Sequence, residues 1–294
     1  MKPWIQAFAF ILVAPLVGGL LVGADRILSA RMQSRQGPPI WQPFFDVIKL
    51  WHKEAIVVRR SQNFYIFFFL LMMIFTGALF FAGFDLLLVI FALTLASIFF
   101  VLGAYKASSP YSFVGAEREL LQMVAYEPMV VLAAVGMYMV TGSFYVGDIA
   151  NWGSSQNKVL ALALPGVFLG FLYALEIKFR KSPFDLSCSH HAHQELVKGI
   201  TTEFSGRGLA MIEIAHWYEN VMLLGWVYLF FAAHPLVGVA AALVVYFFVI
   251  LVDNTFARLK WQLALKSAWI VTTVLGFGNI VVLSAWRYFA VAHP

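Results

Sequence analysis

The sequence predicts an all-α integral membrane protein: eight transmembrane helices and an amphipathic helix in the membrane interface, with both termini outside. Composition gives the class. Of 294 residues, 62% are hydrophobic and only 12% are charged, against about 45–50% and about 25% in an ordinary soluble domain. Twenty Lys and Arg with 15 Asp and Glu are too few to solvate a globule of this length, and disordered or collagen-like chains are excluded with it. Eight stretches each supply the roughly 20 apolar residues that a crossing needs. They lie at about 4–23, 63–82, 85–105, 119–141, 159–177, 208–232, 235–253 and 268–289. Basic residues then set the orientation. Seventeen of the 20 Lys and Arg fall between alternate spans, leaving Lys2, Lys158 and Arg287 on the other side. By the positive-inside rule the basic side is cytoplasmic, which places both termini outside, as an even number of spans requires. The chain reads as one polytopic domain over 1–294 in the cell (inner) membrane, with its large loops, about 24–62 and 178–207, in the cytoplasm. The net charge of +5 expresses this asymmetry and calls for no nucleic acid.

The first span follows Met1 and Lys2 and superficially resembles a signal peptide. It lacks a small-x-small cleavage site and stays apolar to Val22, so a transmembrane helix is expected. The loop after it contains Gly37-Pro38-Pro39 and then a stretch from Pro43 to Val58. There Phe44, Phe45, Ile48 and Trp51 fall near i, i+1, i+4 and i+7, while Asp46, Lys49 and Lys53 lie elsewhere. This is the pattern of an amphipathic helix in the plane of the bilayer surface. One reading is a plain interfacial anchor. The other is a docking surface for a cytoplasmic partner, with Arg35, Asp46, Lys49 and Lys53 as its charged contacts. The turns at Gly83-Phe84 and Ala233-His234 are short enough to make spans two and three, and six and seven, antiparallel hairpins.

Charges inside spans are costly and usually functional. Span four carries Glu119 and, about 12 Å further along, Glu127. Pro128 removes a backbone hydrogen bond next to that acid and predicts a kink. Span five ends at Glu176 and span seven at Asp253. In span six, Glu213, His216 and Glu219 stand at i, i+3 and i+6 and share about a third of the helix circumference. Burial favours the neutral form of a carboxyl, so the stripe reads as a proton path; the plainer reading is hydrogen-bond glue between helices.

The loop 178–207 is rich in ionisable groups. His190, His191, His193 and Glu195 could in principle ligate a metal, but they share one short segment without a cysteine or an HExxH spacing. Solvated or partner-facing histidines are the reading here, and no metal site is expected. The single cysteine, Cys188, excludes disulfides, CxxC zinc sites, CxxCH haem attachment and an iron–sulfur cluster held by this chain alone. With no nucleophile–base constellation and no GxxxxGK[ST] loop, independent catalysis is not expected. A stand-alone secondary transporter predicts an internal repeat, and none is present.

Several motifs carry a family resemblance: QGPP at 36–39, QPFFDVIKLWHKE at 42–54, GAERELLQMVAYEP at 115–128, SPFDL at 182–186, EL at 195–196 and TEFSG at 202–206. In this order and in these loops they resemble the complex I subunit 1 superfamily, over essentially the whole chain. Its two main branches are quinone-reducing complex I and the energy-converting [NiFe]-hydrogenases. The histidine-rich SCSHHAHQELVKGI and the EIAHWYE at 213–219 look like the Ech-type hydrogenase branch. The resemblance implies a membrane anchor subunit that binds no cofactor itself. A [NiFe] centre and [4Fe-4S] clusters are then expected in partners: the hydrogenase large and small subunits, an iron–sulfur ferredoxin-like subunit and an antiporter-like membrane subunit moving H⁺ or Na⁺. By motif position, Glu117, Glu119, Glu127, Asp185, Glu195, Glu203 and Glu213 match the family's acidic channel region. The alternative the resemblance leaves open is the quinone-binding membrane subunit of respiratory complex I, its quinone tail beneath the first large loop.

Overall fold

The computed structural model describes residues 3–54, 60–187 and 198–292, so His190, His191, His193 and Glu195 lie outside the described residues. Among the described residues the only regular structure is helical. The elements are α1 (Pro3–Met32), α2 (Gln42–His52), α3 (Arg60–Phe81), α4 (Leu86–Tyr105), α5 (Pro110–Thr141), α6 (Val146–Gln156), α7 (Leu160–Ala163), α8 (Pro165–Lys178), α9 (Gly206–Phe230), α10 (Pro235–Thr255), α11 (Trp261–Val271) and α12 (Gly278–Ala292). A six-residue π-helical segment, Thr272–Phe277, joins α11 to α12 without a break.

Six of these helical stretches are long and apolar enough to cross a membrane: Pro3–Met32, Ser61–Phe81, Leu86–Tyr105, Pro110–Thr141, Pro235–Thr255 and Trp261–Trp286. The sequence predicts two more crossings, and the structure departs from ordinary spans at both. The expected span 159–177 is broken at Leu164, whose φ of −128° and ψ of 53° end α7 before Pro165 starts α8. Proline suits the first turn of a helix and cannot continue the one before it. The other, α9, is 25 residues long, about 37 Å at 1.5 Å per residue; it carries Glu213, His216, Glu219 and Asn220, which lower its apolarity. Two helices outrun the expected spans. α1 has 30 residues and α5 has 32, about 45 Å or more against a hydrocarbon core of about 30 Å. Residues 24–32 and 110–118, read from the sequence as loop, are therefore helix. α5 continues through Pro128. α6, an 11-residue helix, occupies a stretch the sequence leaves as connection.

The α3–α4 hairpin turns at Gly83, where φ is +85°, a value that costs glycine no side-chain clash. Asp85 then caps α4, its carboxylate accepting from the amides of Leu87 and Leu88. α9 is the centre of the bundle: it packs against α1, α2, α3 and α10, and its Trp226, Val227 and Phe230 are fully enclosed. α5 and α8 pair beside it, and the segment 179–187 returns from α8 across their ends.

Candidate functional site

The GAERELLQMVAYEP motif gives one face of α5 four different tasks. Gly115, Glu119, Gln122 and Tyr126 recur at i, i+4, i+7 and i+11, a single helical face, and all four are buried. Gly115 lets the backbone of Gly199 and Ile200 approach so closely that a Cβ there would collide with the Ile200 amide. Gln122 Nε2 donates to the Phe184 carbonyl at 2.6 Å. Glu119 and Tyr126 meet the two basic residues delivered by the end of α8. Ser187, which accepts from the Ile200 amide through its carbonyl at 2.9 Å, gives its hydroxyl proton to Glu119 Oε2 at 2.5 Å. The SPFDL segment is thus clamped along α5.

The two basic residues complete a buried, charge-balanced quartet. Arg180 Nε donates to Glu119 Oε1 at 2.9 Å and Oε2 at 3.0 Å, and Nη2 to Oε1 at 2.6 Å. Its Nη1 donates to Glu219 Oε2 at 3.2 Å. Lys178 Nζ lies 2.8 Å from Glu219 Oε1 and donates to Tyr126 OH at 3.0 Å and Ser97 Oγ at 3.1 Å. Side-chain exposures are 3% for Lys178, 10% for Arg180, 1% for Glu119 and 2% for Glu219. Burial works against the Arg180 charge, and the adjacent Glu119 and Glu219 more than offset it, holding its pKa above the ordinary value. Two cations against two carboxyls, with bidentate geometry on one side, is the arrangement that makes buried charge tolerable.

The expected path residues fall into separate settings. On α9, Glu219 joins the quartet, whereas Glu213 is one turn and a half nearer α2 and within the electrostatic reach of Arg26, Asp46 and Lys198. His216 stands between them with its ring edge-on to Phe69 at 5.9 Å and Phe100 at 5.8 Å, and its Nε2 is buried without a hydrogen bond. Phe100 also lies under the Arg180 guanidinium at 5.7 Å, so His216 and the quartet share a wall. Glu127, about 80° round α5 from Glu119, has a buried Oε1 with no hydrogen bond. Glu117 is exposed on the opposite face of α5. Asp185 pairs with Arg258, and Glu203 accepts from Gln62 Nε2 through its carbonyl at 3.3 Å.

Of the residues read as docking contacts, Lys49 and Lys53 are exposed. Arg35 is also exposed and donates to Gln33 Oε1 at 2.8 Å. Asp46 is turned inward, 2.5 Å from Arg26 Nη1 and 2.8 Å from Gln42 Nε2. Burial raises its pKa, but those hydrogen bonds and the charges of Arg26 and Lys49 outweigh it and hold the carboxyl below the usual range. The outer face of α2 presents Phe45, Ile48 and Trp51, each about half exposed. Phe44 faces the other way.

Under α2 the helices are closed together by three glycines of α1. A Cβ on Gly18 would meet the Trp217 carbonyl at 2.5 Å; on Gly19 it would strike the Phe44 ring, and on Gly23 the Ile40 carbonyl. Phe44 and Trp217 stack across this seam at 5.1 Å. The apolar region beneath the first large loop is filled by these side chains. Among the described residues, no group of three or more His, Cys, Asp or Glu is placed to hold a metal ion.

Sequence reading counts Lys178 and Arg180 only among the loop charges and leaves out their role as partners of Glu119 and Glu219. Two signals pointed to it: the i, i+4, i+7, i+11 spacing on α5, and a lysine closing an otherwise apolar α8.

Comparison with known proteins places this architecture. Hydrogenase-4 component C of Escherichia coli (strain K12) is 32% identical over 70% of this chain and 67% of its own length. A membrane-complex relative from Syntrophotalea carbinolica, an NADH-quinone oxidoreductase subunit, is 31% identical over 90% of each chain. Formate hydrogenlyase subunit 4 of Escherichia coli (strain K12) is 28% identical over 95% of each. A chain in the solved structure of the membrane-bound sulfane sulfur reductase, an archaeal respiratory membrane complex, superimposes with a TM-score of 0.83 at 25% identity, covering 96% of this chain and 100% of that one. The model for the family described as NADH dehydrogenase matches residues 5–284, and the chain, a multi-pass membrane protein, belongs to that family.

Proposed function

We propose that the chain is the membrane anchor and proton-coupling subunit of a ferredoxin-linked, energy-converting [NiFe]-hydrogenase of the Ech type. It forms one polytopic domain in the cell membrane. α7–α8 and α9 supply the seventh and eighth crossings, and the large loops and the α2 surface are cytoplasmic. The soluble hydrogenase subunits and the iron–sulfur subunit dock there, and the [NiFe] and [4Fe-4S] centres are theirs. An antiporter-like subunit beside it in the membrane receives the energy. Two relatives named as a hydrogenase component and a formate hydrogenlyase subunit support membership of a hydrogenase-type complex.

The observation that carries the coupling role is the position of Arg180. It belongs to the segment after α8, yet its guanidinium holds acids of two membrane helices, Glu119 of α5 and Glu219 of α9. A partner that pulls on the 179–187 segment therefore acts on buried carboxyls directly. Moving the guanidinium uncovers negative charge inside the bundle, which must be neutralised by proton uptake. His216 and Glu213 continue the polar stripe toward α2, and Glu127 extends it along α5.

Replacing Glu127 or Glu213 by Gln tests the proposal. H₂ evolution by the detergent-solubilised complex is expected to continue, while proton pumping in vesicles falls. Pumping unchanged in both variants would make the stripe structural. A second reading, the quinone-binding subunit of complex I, is favoured by the 31% identity to the NADH-quinone oxidoreductase relative. The filled seam at Gly18, Gly19 and Gly23 argues against a quinone tail beneath α2. Reduction of added quinone by the purified complex would support that second reading; H₂ evolution from reduced ferredoxin supports the first.

A further inference from the structure

On the side of α8 away from the quartet, one acid has no donor at all. Glu176 is 6% exposed, and neither of its carboxyl oxygens has a hydrogen-bond partner. The charged groups that act on it are Lys181 and Asp253. Lys181 Nζ is 2.6 Å from Asp25 Oδ2 and 3.8 Å from Asp253 Oδ2. Both of those acids have further donors of their own: the Ser182 amide gives to Asp253 Oδ1 at 2.9 Å and Ser29 Oγ to Asp25 Oδ1 at 3.3 Å. One ammonium thus faces three carboxyl groups. A buried carboxylate anion without a hydrogen bond is strongly disfavoured, and among the described residues no three acids converge closely enough for a metal ion. The cation that completes the cluster is a proton.

A hydrogen-bonded chain joins this cluster to the exposed rim. Gln33, exposed, donates to Asn254 Oδ1 at 3.0 Å; Asn254 Nδ2 donates to Ser29 Oγ at 3.0 Å; and Ser29 leads through Asp25 to Lys181. We propose that Glu176 is a proton-holding site, separate from the quartet and from the stripe on α9, filled from the rim where α1 meets α10 along the Asn254–Ser29–Asp25–Lys181 chain. The proton bound is one H⁺ on a carboxyl oxygen of Glu176; its release to the rim leaves the carboxylate beside Lys181. The site stands whether or not the complex couples protons to H₂ chemistry, but as a store for that coupling it rests on the proposed function.

Infrared absorption of the purified complex near neutral pH tests it. A protonated carboxyl gives a C=O stretch that shifts in D₂O. The difference between wild type and Glu176→Gln should contain one such band, and Glu176→Asp should keep a displaced one. Ser29→Ala should slow exchange of the band with D₂O several-fold. A difference spectrum with no protonated-carboxyl band overturns the proposal; an undiminished exchange rate in Ser29→Ala overturns the route. Pumping by Glu213→Gln, measured separately, tests the coupling role without reference to this band.

Discussion

The end of α8 serves two buried ionic regions that differ in balance. Toward α5 and α9, Lys178 and Arg180 meet Glu119 and Glu219, two cations for two carboxyls, with every partner within 3.2 Å. Toward α1 and α10, Lys181 alone stands among Glu176, Asp25 and Asp253. The lesson is that the number of charges does not decide what a buried cluster does; their balance does. A satisfied quartet resists removal of any member, because each deletion leaves an uncompensated charge away from water. An acid-excess cluster has a vacancy for a proton and can fill or empty it without breaking a pair.

The largest effect should come from unbalancing the quartet. Arg180→Ala leaves Glu119 and Glu219 short of a cation and should cost about 3–5 kcal/mol, read as a fall in the unfolding midpoint of the complex in detergent. Arg180→Met combined with Glu119→Gln restores neutrality and should recover most of that loss. If the double variant is no more stable than the single, balance is not what holds the site. Next, Gly115→Ala should cost about 1–3 kcal/mol by overpacking, since the new methyl meets the backbone of Gly199 and Ile200. That change should disturb the quartet through Ser187 while leaving the Glu176 infrared band in place.

The sharpest contrast uses one chemical change at two acids. Glu119→Gln removes the bidentate partner of a buried guanidinium and should destabilise strongly, whereas Glu176→Gln replaces a proton-bearing carboxyl and should cost less than about 1.5 kcal/mol. Equal losses would erase the distinction between the two regions. The smallest effect is expected outside both. Asp46→Asn removes a half-exposed pair with Arg26 and should cost about 0–1 kcal/mol. Because the folded carboxyl lies below its ordinary value of about 3.9, this contribution is complete above that pH and lost as pH falls through the folded pKa. The fluorescence of Trp41 and Trp51 on α2 reports the loss, and Asp46→Asn should abolish that acid-dependent change.

The sequence was informative wherever a property is local. Apolar length located α1, α3, α4, α5 and α10, and periodicity located α2. It overran at Leu164-Pro165, because hydropathy averages across a proline that the backbone cannot. It placed the starts of α5 and α11 too late, because the helices continue into polar segments that packing, not apolarity, keeps helical. Glu119 and Glu219 were visible as costly charges within spans, but their partners were not. Lys178 and Arg180 lie 59 and 61 residues from Glu119 in the chain, and only the folding of the 179–187 segment back along α5 brings them to it. Glu176 was visible as the end of a span; that it lacks a donor is a property of its neighbours.

The central claim is that Arg180 links the 179–187 segment to the buried acids of α5 and α9 and so couples partner chemistry to proton movement. The most direct measurement is the number of protons translocated per H₂ formed in vesicles carrying the charge-balanced Arg180→Met, Glu119→Gln complex. The account predicts that H₂ evolution from reduced ferredoxin continues while translocation is lost. Translocation at the wild-type ratio in that variant would contradict it.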